Sequence, residues 1–302
     1  MTIKKPLNPL HGWLLIDKPA GVTSTDVVTR VKRVLRPQKI GHAGTLDPFA
    51  TGLLPLALGE ATKVISFGMD GQKTYEFTLC FGSETTTEDT EGEITHTSSL
   101  RPTIQEIQDI LSTFSGKIEQ IPPAYSALKI QGKPAYELAR AGEEVNLAPR
   151  EIEIKSLTLL SQLNADEFCF QVTCGKGTYV RSLGRDMARK LGTCGHLTQL
   201  RRTRVGPFWV DDAFSLDSFC EMGHKAQIDN AILLLQAVLD DILAVEVTED
   251  EAQRLRQGQS LFRPDILTLE EVPVFIHTQT SRPVAMGHIK EGKLKPYRVF
   301  NV

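Results

Sequence analysis

KTYEFTLCFG, residues 73–82, alternates without interruption: Tyr75, Phe77, Leu79 and Phe81 fall on one face, Thr74, Glu76, Thr78 and Cys80 on the other. A period of two sustained over that length predicts a β-strand. Downstream, EIEIKSLTLL (151–160) and EFCFQVTC (167–174) repeat the alternation and are spaced to pair as antiparallel strands. HLTQLRRTRVGPF (196–208) reads as a further strand with a basic end. The segments between them are helical but irregularly placed. TIQEIQDILSTF (103–114) has a capping-box spacing, Thr103 to Glu106, with Ile104, Ile107, Ile110, Leu111 and Phe114 on one stripe. Upstream, GWLLIDKPAGVTS is an apolar run and a Pro-x-Gly turn that lead to Ser24 or Thr25 as a helix N-cap. Val27, Val28, Val31, Val34 and Leu35 then face one way, and Arg30, Lys32, Arg33 and Arg36 the other, up to Pro37. Irregular alternation of helices with mostly antiparallel strands predicts an α+β fold rather than a doubly wound one.

The chain's 302 residues are about twice a common domain length, which predicts one large domain and a smaller one. The texture changes after an acidic, helical stretch near 229–241. From Leu243 onward short strands and one helix, TEDEAQRLRQG (248–258), end in the basic GHIKEGKLKPYRVF, so a small strand-rich module is expected at 243–302. No apolar run approaches the roughly 20 residues that span a bilayer. The N-terminus MTIKKPLNPLHG has no apolar stretch behind its lysines, so it does not read as a secretory signal and a cytoplasmic location is expected. The five cysteines form no CxxC pair, and Cys174, Cys194 and His196 fit no common zinc spacing, which predicts reduced thiols and no metal.

A net charge of −3 does not by itself nominate a nucleic-acid binder, but the charges are segregated. Residues 29–42 carry five Lys/Arg and no acid, residues 176–204 carry eight against the single Asp186, and ETTTEDTEGE (84–93) holds five acids and no base. Local potential is what draws a polyanion. The IPPAYSALKIQGKPAYELARAG segment (121–142) interleaves Tyr125 and Tyr136 with Lys129, Lys133 and Arg140, a weak RNA-contact pattern on a protruding excursion.

One carboxylate is oddly placed. In GHAGTLDPFATGLL (41–54), Asp47 stands alone among Gly, Ala, Thr, Pro and Leu. The sequence contains no GxSxG elbow, HExxH, Rossmann fingerprint or Walker spacing, the last lacking even in GKGTY (175–179). Chemistry built on Asp47 therefore rests on a single carboxylate acting as nucleophile or base. Such a group stays ionised in a desolvated site only beside a cation. The helix after GKGTY supplies candidates, since Arg181, Arg185 and Arg189 recur at i, i+4 and i+8 on one face.

Taken in order, LLIDKPAGVTS, GHAGTLDPFATGLLPLALGEATK, KTYEF, YSALKIQGKPAYELARAG, GKGTYVRSLGRD and LRRTRVGPF closely resemble the motifs of bacterial TruB-type tRNA pseudouridine synthases across roughly residues 12–210. The resemblance implies the pseudouridine synthase fold. It places a catalytic domain at 1–242, with an insertion at about 121–150 that grips the T loop, and a PUA-like RNA-binding domain at 243–302. It also implies isomerisation of uridine 55 in the tRNA T loop by glycosidic cleavage, base rotation and C–C re-attachment, with no cofactor, no metal and no protein partner, in a monomer. On this pattern Asp47 is the catalytic aspartate, attacking C1′ or abstracting a ribose proton. Arg181 pairs with it, and Tyr75 stacks on the uracil and helps remove the C5 proton. Tyr179 and Leu200 line the base pocket, His42 meets the flipped-out T-loop nucleotides, and Lys18 supports the loop. Two other readings carry part of the pattern. The guide-RNA-dependent synthases share a GTLDP-like motif, and a tRNA-folding chaperone would need the binding surface without the chemistry.

Overall fold

The computed structural model describes residues 8–222 and 230–302. Its strands open with β1 (Gly12–Lys18), β2 (Ile40–His42), β3 (Thr51–Leu58) and β4 (Lys73–Phe81). A small hairpin of β5 (Ser83–Thr85) and β6 (Ile94–Thr97) follows, then β7 (Gly116–Gln120) and a second hairpin of β8 (Lys129–Ile130) and β9 (Lys133–Pro134). The long strands β10 (Arg150–Gln162) and β11 (Glu167–Cys174) precede β12 (Gly195–Val205), β13 (Phe208–Trp209) and β14 (Phe214–Ser215). The helices of this part are α1 (Ser24–Leu35), α2 (Ile65–Asp70), α3 (Ile104–Leu111), α4 (Ala135–Arg140), α5 (Val180–Lys190) and α6 (Leu216–Glu221).

Ten strands form one mixed sheet in the order β14-β1-β3-β12-β4-β11-β10-β7, with β2 on β3 and β13 on β12. Most pairings are antiparallel, and β1–β14 and β3–β12 are parallel. The 73–82 strand, β4, lies near the middle, between β12 and β11. Its apolar face carries Tyr75, Phe77, Leu79 and Phe81 into a cluster with Val180, Leu183 and Met187 of α5 and Ile107 of α3. Phe77 stacks on Phe170 of β11 at 5.2 Å between centroids, which adds about 0.5–1.5 kcal/mol to the area the rings bury. Thr74 and Thr78 on the opposite face are buried too, so the alternation marks two covered faces rather than one wet and one dry.

Two local readings need correction. The N-cap of α1 is Thr23, in a full capping box with Asp26, and not Ser24 or Thr25. Ser24 is unavailable for capping because its hydroxyl both donates to the Leu46 carbonyl and accepts from the Leu46 amide. Near 229–241, the part that lies within the described residues holds a 3₁₀ turn at Leu235–Val238 rather than a regular helix. Residue 229 lies outside the described residues.

The second sheet begins at Leu243. Its strands are β15 (Leu243–Val247), β16 (Leu261–Phe262), β17 (Val272–Thr278), β18 (Pro283–Lys290) and β19 (Lys293–Val299), ordered β15-β17-β18-β19-β16. The helix Glu249–Arg256 starts from Thr248 in a capping box with Glu251. One core is shared between the two sheets. Phe275, Met286 and Phe300 pack in the same buried cluster as Trp13, Leu15, Leu53 and Phe208. Polar contacts reinforce the junction: Lys63 Nζ donates to the Val299 carbonyl at 2.7 Å and the Asn301 amide donates to Glu60 at 2.8 Å. Among the described residues no helix is long and apolar enough to cross a membrane.

Candidate active site

The segment Ala43–Ala50 links β2 to β3 and carries Asp47. Elementary chain chemistry shapes it. Gly44 takes φ +105° and Gly52 φ +103°, a region that costs side-chain-bearing residues steric strain, and a Cβ on Gly52 would collide with the Arg202 backbone. Buried side chains then hold the loop by its main chain. Ser24 brackets Leu46, at 2.9 Å from its amide and 3.1 Å to its carbonyl. Lys18, with a relative exposure of 0%, donates to the carbonyls of Pro19, Val22 and Pro48 at 3.0, 2.8 and 3.2 Å. Arg202 reaches Gly44, Thr45 and Leu53.

Arg181 stands at the start of α5 with its side chain 4% exposed, and its Nε donates to Asp47 Oδ2 at 2.9 Å. Its other guanidinium nitrogens donate to the carbonyls of Thr87 at 2.8 Å and Tyr125 at 2.9 Å. The Asp47 side chain is 34% exposed. One carboxylate oxygen is thus engaged by a buried cation while the carboxylate keeps an open side, an arrangement that aims the group and leaves it accessible.

Tyr75, on β4, is buried in the same cluster as Leu46, Ala50 and Leu200. Burial pushes its phenol above the usual range, so it is neutral at pH 7 and offers a ring face rather than a phenolate. Leu200 sits on β12 opposite Phe77. Tyr179 is fixed by its backbone, whose amide donates to Gln120 Oε1 at 2.9 Å while its carbonyl accepts from Gln120 Nε2 at 3.1 Å. Burial raises the Tyr179 phenol as well, and the Asp47 charge adds to that rise. His42 ends β2, pairing with Leu56, and its Nδ1 is buried without a hydrogen-bond partner among the described residues. Burial and then the Arg202 charge hold its imidazole below the ordinary range, so it is neutral at pH 7. The structure therefore brings Asp47 and Arg181 together beside the cluster that holds Tyr75 and Leu200, with Tyr179 at the start of α5, two residues before Arg181 and tied to the edge strand β7. Lys18 lies beneath the loop and His42 at the loop's entrance.

Sequence reasoning missed part of the site. Asp89 is buried, with Oδ2 3.7 Å from Arg181 Nε, so Arg181 lies between two carboxylates. Glu88 pairs with Arg185 and accepts from Ser182 at 3.0 Å, while Arg185 also donates to the Ile121 carbonyl at 2.8 Å. Both acids come from the acidic run at 84–93, which looks solvated in sequence. Of the three helix arginines only Arg189 is largely exposed, and it pairs with Glu84. Among the described residues no group of three or more His, Cys, Asp or Glu is arranged to hold a metal.

Two predictions arise here. Burial leaves Glu88 above the usual carboxylate range despite Arg185, so the pair is costly to keep and more costly to break. Arg185→Met should destabilise the fold by about 3 kcal/mol in urea unfolding, and adding Glu88→Gln should restore most of it, because a neutral amide needs no counter-charge. Loss of stability that simply sums in the double variant would contradict this. The second concerns Lys18, whose ammonium is lowered by burial from 10.5 to about 8. Between those values the unfolded chain binds the proton that the folded chain has released, so stability should rise as pH increases from about 8 to 10.5. Lys18→Met should flatten that rise. Lys73, lowered in the same direction by burial, stays in both proteins, so the difference in urea midpoint between pH 7.5 and 10 isolates Lys18.

The fold is found in solved structures. The chain matches one described as "Structure of H/ACA RNP bound to a substrate RNA containing 2'-deoxyuridine" with TM-score 0.75 and 24% identity, over 97% of this chain and 86% of that one. It matches the archaeal box H/ACA sRNP Nop10-Cbf5 complex with TM-score 0.73 and 24% identity, over 97% and 87%. The fold is that of the pseudouridine synthases. Sequence comparison is more specific. The TruB family pseudouridylate synthase N-terminal domain matches residues 32–180, the tRNA pseudouridylate synthase B C-terminal domain 181–246, and the pseudouridine synthase II TruB C-terminal domain 244–300. The tRNA pseudouridine synthase B of Bradyrhizobium diazoefficiens is 47% identical over 99% of this chain and 88% of its own length. That of Caulobacter vibrioides is 46% identical over 100% of both. The chain belongs to the TruB family of pseudouridylate synthases.

Proposed function

We propose that this protein isomerises uridine to pseudouridine in tRNA, at position 55 of the T loop. The observation that carries the reading is the Asp47–Arg181 pair at 2.9 Å, buried on the arginine side and open on the carboxylate side, within a chain similar over its full length to enzymes named tRNA pseudouridine synthase B. The reaction needs little else. The uracil is both leaving group and acceptor, so the site supplies one carboxylate to attack C1′ or take a ribose proton, and walls that hold the detached base while it turns. Tyr75 stacks on the base and Leu200 and Tyr179 enclose it. His42, neutral and with an unpaired buried nitrogen, meets the displaced RNA. The cost of extruding the nucleotide, a few kcal/mol, is offset by these contacts. No cofactor enters.

The 121–150 insertion grips the T loop. It is tied to the site through Arg181 and Arg185, which hold the carbonyls of Tyr125 and Ile121. The sheet from Leu243 onward acts as a PUA-like RNA-binding domain, and the enzyme works on free tRNA as a cytoplasmic monomer without a guide RNA or protein partner. The test is release of tritium from C5-labelled uridine in an unmodified tRNA transcript. Release is expected from the wild-type transcript and not from one with cytidine at position 55. Tight tRNA binding with no release would replace the enzyme by a tRNA-folding chaperone, and release only in the presence of added guide RNA would reassign the substrate.

A further inference from the structure

We propose that Arg202 is a positioning residue for the isomerisation, a single buried guanidinium that fixes both limbs of the Asp47 loop from a strand position opposite Tyr75. This rests on the function proposed above. Arg202 is 1% exposed on β12, and every hydrogen bond its guanidinium makes to the loop ends on a main-chain carbonyl. Nε donates to Leu53, on the outgoing limb, at 2.8 Å. The terminal nitrogens reach the incoming limb, at Gly44 (3.0 Å) and Thr45 (3.5 Å). Ser24 and Lys18 also hold the loop, but at single stretches, Leu46 and Pro48. The limbs are joined at their base by the Ala43 amide donating to the Pro55 carbonyl at 2.9 Å, and of these three buried side chains Arg202 is the one that bridges them further along the loop.

Its surroundings extend the role. In the sheet Arg202 lies opposite Tyr75 on one side and Gly52 on the other. Gly44 is part of the fit, since a Cβ there would stand 3.3 Å from an Arg202 nitrogen. An arginine suits the task because its rigid planar fork reaches three divergent acceptors, which a lysine ammonium on a flexible stem does not. Because its loop partners are main-chain carbonyls, Arg202 does not compete for Asp47, whose partner remains Arg181.

The experiment measures single-turnover tritium release and tRNA Kd for wild type, Arg202→Lys, Arg202→Met, Gly44→Ala and a control, Arg204→Lys. Arg204 stacks on Trp209 and donates to Gly206, away from the loop. Wild-type turnover reports the proposed function on its own. Given turnover, Arg202→Lys is expected to slow the chemical step roughly 100-fold, the effect of a small misplacement of reacting groups, with Kd changed less than about threefold. Arg202→Met should lose as much rate and more thermal stability. Should the arginine variants fail to fold, Gly44→Ala displaces the same limb from the loop side, through its positive φ as well as its 3.3 Å approach to Arg202, and is expected to show the same split between rate and Kd. A rate within about threefold of wild type in Arg202→Lys or, where that does not fold, in Gly44→Ala would overturn the proposal. So would equal losses of rate and binding, which would mark a general structural role.

Discussion

Asp47→Asn should abolish pseudouridine formation, by at least about 10⁴-fold in single turnover, while tRNA binding stays within about threefold of wild type. The substitution preserves shape and the capacity to accept a hydrogen bond from Arg181, and removes the charge that either attack on C1′ or proton abstraction requires. The side chain is a third exposed and the loop is held by its main chain through Ser24, Lys18 and Arg202, so its fold should survive the change. Tritium release paired with filter binding reads both quantities on one preparation. Turnover within tenfold of wild type would remove Asp47 from the mechanism.

Arg181→Met carries the second largest effect. Arg181 contacts Asp47, Asp89 and the carbonyls of Thr87 and Tyr125, and with it gone the buried Asp89 has no other salt-bridge partner among the described residues. A loss of about 3 kcal/mol of stability and a rate reduction of roughly 10³-fold are expected, the first for stranding a buried charge, the second for losing the group that orients the carboxylate. Arg181→Lys should recover stability but little rate, because an ammonium restores charge without the fork that aims Asp47. Full activity in Arg181→Lys would show that charge alone is needed. Urea unfolding and single-turnover rates separate the two contributions.

How much of this was legible in the sequence depends on the range of the interaction. Strands announced by local alternation, β4, β10 and β11, form where the period places them, the strand read over 196–208 is broken by a turn at 206–207 into β12 and β13, and capping boxes mark the starts of α3 and the helix Glu249–Arg256. The need of Asp47 for an arginine followed from electrostatics, and the structure supplies Arg181, 134 residues away. What stayed hidden were partners whose pairing exists only after folding. Glu88 and Asp89 sit in an acid-rich run that composition assigns to solvent, and Arg185 sits 97 residues from Glu88 on a helix face that looks wet. Nothing local says that such a run folds back against α5. Ser24 shows the converse, a good capping residue drawn away by a tertiary partner so that Thr23 caps instead.

The shared core beneath Trp13 has one more consequence. Because Phe275, Met286 and Phe300 are cemented into the body of the catalytic sheet, the distance from the C-terminal strands to Asp47 is a constant of the molecule. On the function proposed above, an RNA that touches both must have its own two points that far apart, and the joint would then work as a caliper that sorts substrates by their dimensions as well as by the base. Loosening that joint, for instance with Phe300→Ala, should widen the range of RNAs accepted more than it slows the reaction on the right one.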